Sequence, residues 1–230
     1  MWVCEDGFPQ RHKGAKEEIR ERSLLCGLAA LLEMVFPQRA KEENVREMKN
    51  VTSEAITELE KITNDFRAAF GSLTDEQLNW KPAAESWSIA QCVDHLIKSN
   101  DEVQPVIDAK LAGGKNSFLE SWSPLTGFFG GFLKKNLATD AKKFKAPSKA
   151  IVPPSDIDAG VLDRFAENQQ VVIKSIQSME KLDLHKTVIT SPFLRVMTYR
   201  LSDGLGIMVE HEKRHFRQAK RVMESEGFPK

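Results

Sequence analysis

Apolar residues recur three or four apart at Ala55, Ile56, Leu59, Ile62, Phe66 and Phe70, and Gly71 follows as a stop. This spacing predicts a first helix over 52–70 with one buried face. Thr74 and Gln77 then form a T-x-x-Q capping box for a single turn, which the extended stretch Asn79-Trp80-Lys81-Pro82 ends. Ser88 and Gln91 repeat the box and open a second helix over 88–111, through Ile89, Cys92, His95, Leu96 and Ile97. Pro105 is expected to kink it, and Gly113 with Gly114 to close it.

Residues 115–157 carry Gly, Pro and Ser punctuation around the apolar cluster Leu125, Phe128, Phe129, Phe132 and Leu133, which suits a long loop with a short helix. A third helix over 156–179 puts Val161, Leu162, Phe165, Val172, Ile176 and Met179 on one face, interrupted by Asn168 and Gln169. Ser202 is the expected cap of a fourth helix over 202–226, ahead of Gly227 and Pro229. Only 188–190 and 195–199 have strand-like content, too little for a sheet core. The fold class is therefore all-α: a four-helix bundle with a long crossover between helices two and three.

Residues 1–47 form an amino-terminal extension, expected to be mobile or loosely packed. A short apolar segment over 24–36 is flanked there by stretches of mixed charge, and Met48 begins a segment that reads like the start of a helical protein. The functional domain is read as 48–230. Leu24, Leu25, Leu28, Leu31 and Leu32 have near-helical spacing, but an isolated helix of that length is marginal in water. Packing on the bundle as a fifth helix, or bridging a homodimer, is the alternative. Glu33 breaks the segment, which falls short of the roughly 20 residues a membrane span requires. No small-x-small cleavage site follows it, as a secretory signal would need.

Composition narrows the function. Apolar residues at 41% and charged residues at 29% allow a packed core. The 33 basic residues balance 33 acidic ones, which removes the general attraction to nucleic acid and leaves a small molecule as the expected partner. No membrane partner is expected. Cys4, Cys26 and Cys92 lack C-x-x-C spacing and are odd in number, so the chain is read as cytoplasmic, without a disulfide framework.

The histidines carry the candidate chemistry. His211 and His215 lie four apart on helix four, so their side chains project from one face about 6 Å apart, a spacing that suits two ligands on one ion. His95 sits in the apolar face of helix two, where an imidazole loses hydrogen bonds unless a partner inside the bundle satisfies it. A shared metal satisfies all three; a core histidine and a surface coincidence are the other explanation. The run His211-Glu212-Lys213-Arg214-His215 also spells the H-E-x-x-H of zinc proteases, in which the glutamate is the general base. Two charged residues between the histidines fit that pattern poorly, and Gln218 and Arg221 stand where the longer protease motif needs glycine and histidine. A protease is set aside.

Together, L-T-D-E-Q-L-N-W-K-P-A-A-E-S-W-S-I-A-Q-C-V-D-H-L (73–96) and H-E-K-R-H-F-R-Q (211–218) resemble the DinB-like family. The resemblance runs over about 52–227, including 144–154 and 198–203. It implies a four-helix bundle in which His95, His211 and His215 hold a divalent transition metal, commonly zinc or nickel. Three protein ligands leave positions for water or substrate, as catalytic metal sites do. Characterised members include thiol-dependent S-transferases and an isomerase that uses low-molecular-weight thiols, and many members have no assigned activity. The function expected from the resemblance is activation of water or such a thiol for hydrolysis or transfer on a small electrophile. A non-enzymatic metal-binding or sensor module is the alternative. An apolar pocket beside the metal, lined by Phe128, Phe129 or Phe132, would favour the enzyme.

Around that centre, Gln218 is a candidate to orient a ligand or water, and Asn168 or Gln169 to point into the pocket. Glu212 is a candidate base, although one residue beyond His211 it turns about 100° around the helix. Cys92 is expected to be buried as a small apolar residue, and His12 and His185 to be exposed.

Overall fold

The computed structural model describes residues 13–139 and 148–230, with side chains from residue 38 onward except at position 40. Cys4, His12, the side chains of 24–36 and residues 144–147 lie outside the described residues. The chain divides into two compact units, Met1–Glu47 and Met48–Lys230. The second unit carries the bundle and the candidate site.

Its core is helical. Helix α1 (Lys13–Phe70) begins in the first unit and ends in the second, well upstream of the predicted start at 52. Residues 38–47 are mostly charged, and the packed stripe begins only at Met48 and Val51, so periodicity is weak upstream, where Ala, Glu, Lys and Arg still favour helix. Beyond 52 the predicted face is the buried one: Ala55, Leu59, Ile62, Phe66 and Phe70 all lie in the core. The Phe66 ring meets Phe165 and Phe216 edge-on, both at 5.1 Å between centroids, and so joins three helices.

Both predicted capping boxes close. Thr74 and Gln77 cap the single turn α2 (Asp75–Asn79), and Ser88 and Gln91 cap α3 (Ile89–Leu111), each with both reciprocal hydrogen bonds. Helix α3 continues through Pro105 and ends just before Gly113, whose φ of +90° suits glycine. The crossover is more helical than predicted. It contains α4 (Phe118–Trp122), with a Ser117–Glu120 capping box that periodicity does not register, then α5 (Thr126–Leu137) and a 3-10 turn at Lys149–Ile151.

Helix α6 (Val161–Ser178) starts later than the predicted 156, after Asp158 has accepted bonds from the Gly160 N–H and Arg164. Helix α7 (Leu201–Met223) is entered from Arg200 without a side-chain cap. Ser202 is therefore not a cap; it lies inside the helix, with its hydroxyl 3.3 Å from His185 Nδ1. The two strand-like segments do pair, as the antiparallel ribbon β1 (Val188–Thr190) and β2 (Thr198–Arg200), with Ile189 opposite Tyr199. A turn reversal, rather than a core, is what three residues per strand supply.

Helices α1, α3, α6 and α7 make the bundle. Helix α3 packs on α6 and α7, while α5 lies against α7 and β2. Gly130 permits that approach, because a methyl group there would overlap the Asp203 carboxylate. Among the described residues, no helix is long and apolar enough to cross a membrane.

Candidate metal centre

The apolar face of α3 buries His95 four residues before Ser99, and the facing stripe of α7 carries His211 and His215. Each of the three imidazoles offers a ring nitrogen within 4.8 Å of those offered by the other two. His95 Nε2 and His211 Nε2 are 3.2 Å apart. The ring centroids lie 5.1 Å (His95–His211), 4.6 Å (His95–His215) and 4.7 Å (His211–His215) from one another.

The crossover orients the first of these rings. His95 Nδ1 lies 2.7 Å from the Ile151 carbonyl oxygen, which only accepts, so Nδ1 carries the proton and Nε2 keeps its lone pair toward the other histidines. Gln91 Nε2 donates to the Pro154 carbonyl and Lys98 to that of Val152, so residues 151–154 are fastened along α3 at three points. Trp87 closes the other side, with its ring 4.8 Å from His95 and stacked on His215 at 5.7 Å. Neither the Ile151 carbonyl nor Trp87 stands out by residue chemistry. Trp87 is visible only as part of the E-S-W-S run in the quoted motif.

Burial sets the charge of this cluster. Desolvation lowers the pKa of His95, against the bond to Ile151, and takes His211 down to about 3, with His95 and Arg214 adding to the shift. His215 lies well below its ordinary value for the same first reason, which Gln218 opposes. All three are neutral at physiological pH, the form that donates a lone pair to a cation. His215 Nδ1 is buried with no hydrogen-bond partner, an orphaned polar atom of the kind a metal-binding cluster leaves when no ion is present. The donor set of neutral imidazoles suits a divalent transition metal.

A cavity of about 1440 Å³ opens on the three histidines. Its walls are mainly apolar, with Phe132 and Leu133 from α5, Val103 and Ile107 from α3, and Ile207 and Met208 from α7; Gln218, Arg214 and Ser99 supply polar points. Of the phenylalanines offered as alternatives for its lining, Phe132 lines it, and Phe128 is exposed.

Several predicted neighbours face elsewhere. Glu212 is fully buried and turned from the cavity, and its carboxylate accepts from Asn100 Nδ2 at 3.2 Å. Burial pushes its pKa up to about 7, with Gln169 and Asn100 pulling the other way. Gln169 is fully buried beside it, and Asn168 bonds Asn100 and Asp101, so neither amide enters the cavity. Gln218 does line it. Cys92 is buried, its thiol pushed up to about 12 by desolvation. His185 is half-buried beside Ser202 rather than exposed.

Residues 58–219 match the DinB superfamily. The chain belongs to that family. Over 158 residues this DinB-superfamily chain is 30% identical to the uncharacterized protein YuaE of Bacillus subtilis (strain 168), a span of 66% of this chain and 86% of the relative. No solved structure matches it significantly. Family membership and the three-histidine cluster are both compatible with metal binding.

Proposed function

We propose that this chain is a metal-dependent enzyme in which His95, His211 and His215 hold one divalent ion, zinc or nickel. Bound there, the ion would act as a Lewis acid that activates water or a low-molecular-weight thiol for hydrolysis or transfer on a small electrophile. The single observation that carries the reading is the large, mainly apolar cavity into which the three histidines converge. A sensor or storage site has no need of such a volume, and an ion held only by solvent-exposed residues would have favoured that alternative.

The chain's own residues supply the rest. The Ile151 carbonyl fixes the His95 tautomer, Trp87 packs on two of the three rings, and Phe132 and Leu133 exclude water from the approach. Glu212 as a base is the weakest part of the sequence-based proposal, since its carboxylate is bonded away from the cavity. The test is elemental analysis of purified protein, followed by turnover assays on small electrophiles with and without candidate thiols. One equivalent of zinc or nickel with thiol- or water-dependent turnover supports the reading. Stoichiometric metal with no turnover across the panel favours the binding module, and absence of metal removes both.

A further inference from the structure

The crossover exposes a run of large apolar side chains, four of them aromatic. Phe118 is 82% exposed, Trp122 76%, Phe128 62%, Leu125 49%, Leu119 43% and Phe132 41%. They are ordered rather than scattered. Phe118 and Trp122 stack at 6.1 Å on α4, and Phe128 and Phe132 stack at 5.7 Å on α5. Each pair is spaced four residues apart, so each helix presents one aromatic stripe outward. An exposed cluster of this size on a soluble surface marks an interaction site.

Its charge surroundings identify the partner. In a chain whose charges balance overall, the described residues of 113–149 carry Lys115, Lys134, Lys135 and Lys149 against Glu120 alone, although the Lys134 side chain reaches back to Gly206 of α7. Glu120 offers no outward charge, because it is buried in an ion pair with Lys110 at 2.8 Å and also bonded by the Ser117 N–H and Thr190. That pair also pins α4 to α3, so the aromatic stripe rests on a fixed base.

We propose that the α4–α5 face is an interfacial membrane anchor that inserts Phe118, Trp122, Leu125 and Phe128 into the headgroup region of an anionic bilayer. Aromatic side chains prefer that depth, and lysines beside them are drawn to acidic headgroups. A second copy of the chain fits less well. A two-fold interface through this face would set its net positive charge against that of its own copy. Side chains three-quarters exposed on short helices stand out as wedges and form no groove for a docked peptide. The expectation of no membrane partner rested on the lack of a spanning helix, which says nothing about a helix that lies in the interface. The proposal is independent of the metal reading.

The test is co-sedimentation of the full chain with vesicles of phosphatidylcholine alone and of phosphatidylcholine mixed with phosphatidylglycerol. The wild type is expected to pellet with the mixed vesicles, to blue-shift its tryptophan emission, and to be released by salt. The double variant W122E/F128E should retain its circular dichroism spectrum and melting temperature and bind roughly tenfold more weakly. If that variant folds poorly, Trp122→Ser with Lys135→Gln in the same assay should also weaken binding. Wild type that stays in the supernatant with both vesicle types overturns the proposal, as does equal pelleting of wild type and folded variants. A dimer in light scattering that W122E/F128E dissociates, without vesicle binding, gives the face to a second copy instead.

Discussion

Two polar clusters lie side by side inside the same bundle, one facing the cavity and the other turned from it. His95, His211 and His215 open on the cavity, and His215 Nδ1 has no partner. Gln169 and Glu212 are buried behind this cluster, away from the cavity, and Asn100, which reaches the cavity wall, is bonded to both Asn168 and Glu212. Helices α3 and α7 build both: His95 and Asn100 come from one, His211 and Glu212 from the other. A step of about 100° along α7 separates a histidine aimed at the cavity from a carboxylate aimed at the core. Sequence proximity to a ligand is therefore no evidence of a catalytic role. The open cluster is poised for a ligand from outside, and the closed one specifies how three helices fit together.

The sharpest break in this contrast would come from the histidines. His95→Ala, His211→Ala and His215→Ala are each expected to lower metal affinity at least tenfold. If three ligands share roughly 10 kcal/mol of binding, each carries about 3 kcal/mol, a factor on the order of a hundred. His12→Ala and His185→Ala should leave occupancy unchanged. Elemental analysis after dialysis decides it, and full occupancy in the His95 variant would reduce the site to a pair on α7.

Glu212→Ala should do the reverse. Removing a fully buried carboxylate leaves a void and strands the Asn100 donor, a loss of about 2–3 kcal/mol in stability by chemical denaturation. Metal affinity of the folded protein should change less than twofold. Wild-type stability with turnover abolished would instead make Glu212 the base that the H-E-x-x-H pattern suggests.

The clusters should also differ in the sign of their pH dependence in metal-free protein. The folded histidines bind protons less readily than the ordinary value of 6.5, and His211 only near 3. Their contribution is therefore present above about 6.5 and is lost as pH falls through that window. Glu212 is raised from 4.5 to about 7, so its contribution is present below 4.5 and is lost as pH rises toward 7. Glu212→Gln should gain on the wild type across that interval by a difference on the order of a few kcal/mol. Parallel stability curves for the two proteins would contradict the burial argument.

Much of this was legible in the chain. Periodicity and caps located helices 52–70, 88–111, 156–179 and 202–226 to within a few residues at most ends, because those stretches bury one face. Helix α1 upstream of 52 was not: Met48 and Val51 continue its packed stripe, but the mostly charged stretch before them carries little such signal. The histidines were found by spacing and by resemblance. The Ile151 carbonyl was invisible, because every residue has one and only the tertiary path of the crossover brings this one to His95. Asn168 and Gln169 were correctly marked as interrupting an apolar face, but a polar residue there can face a cavity or a buried carboxylate, and periodicity cannot choose between them.

The smallest effect tests the boundary between the clusters. Ser99 follows His95 by one turn and precedes Asn100, lines the cavity, and is buried with its hydroxyl unpartnered. An unsatisfied buried hydroxyl is a penalty that alanine removes, with little volume lost. Ser99→Ala is therefore expected to leave metal occupancy unchanged and to raise stability by up to about 1 kcal/mol, read as a small upward shift of the denaturation midpoint. If Ser99 belonged to the closed cluster, the same change would break a bond and the midpoint would fall. A raised midpoint together with weaker binding of a cavity ligand would place Ser99 on the open side, as a group whose partner arrives with the ligand.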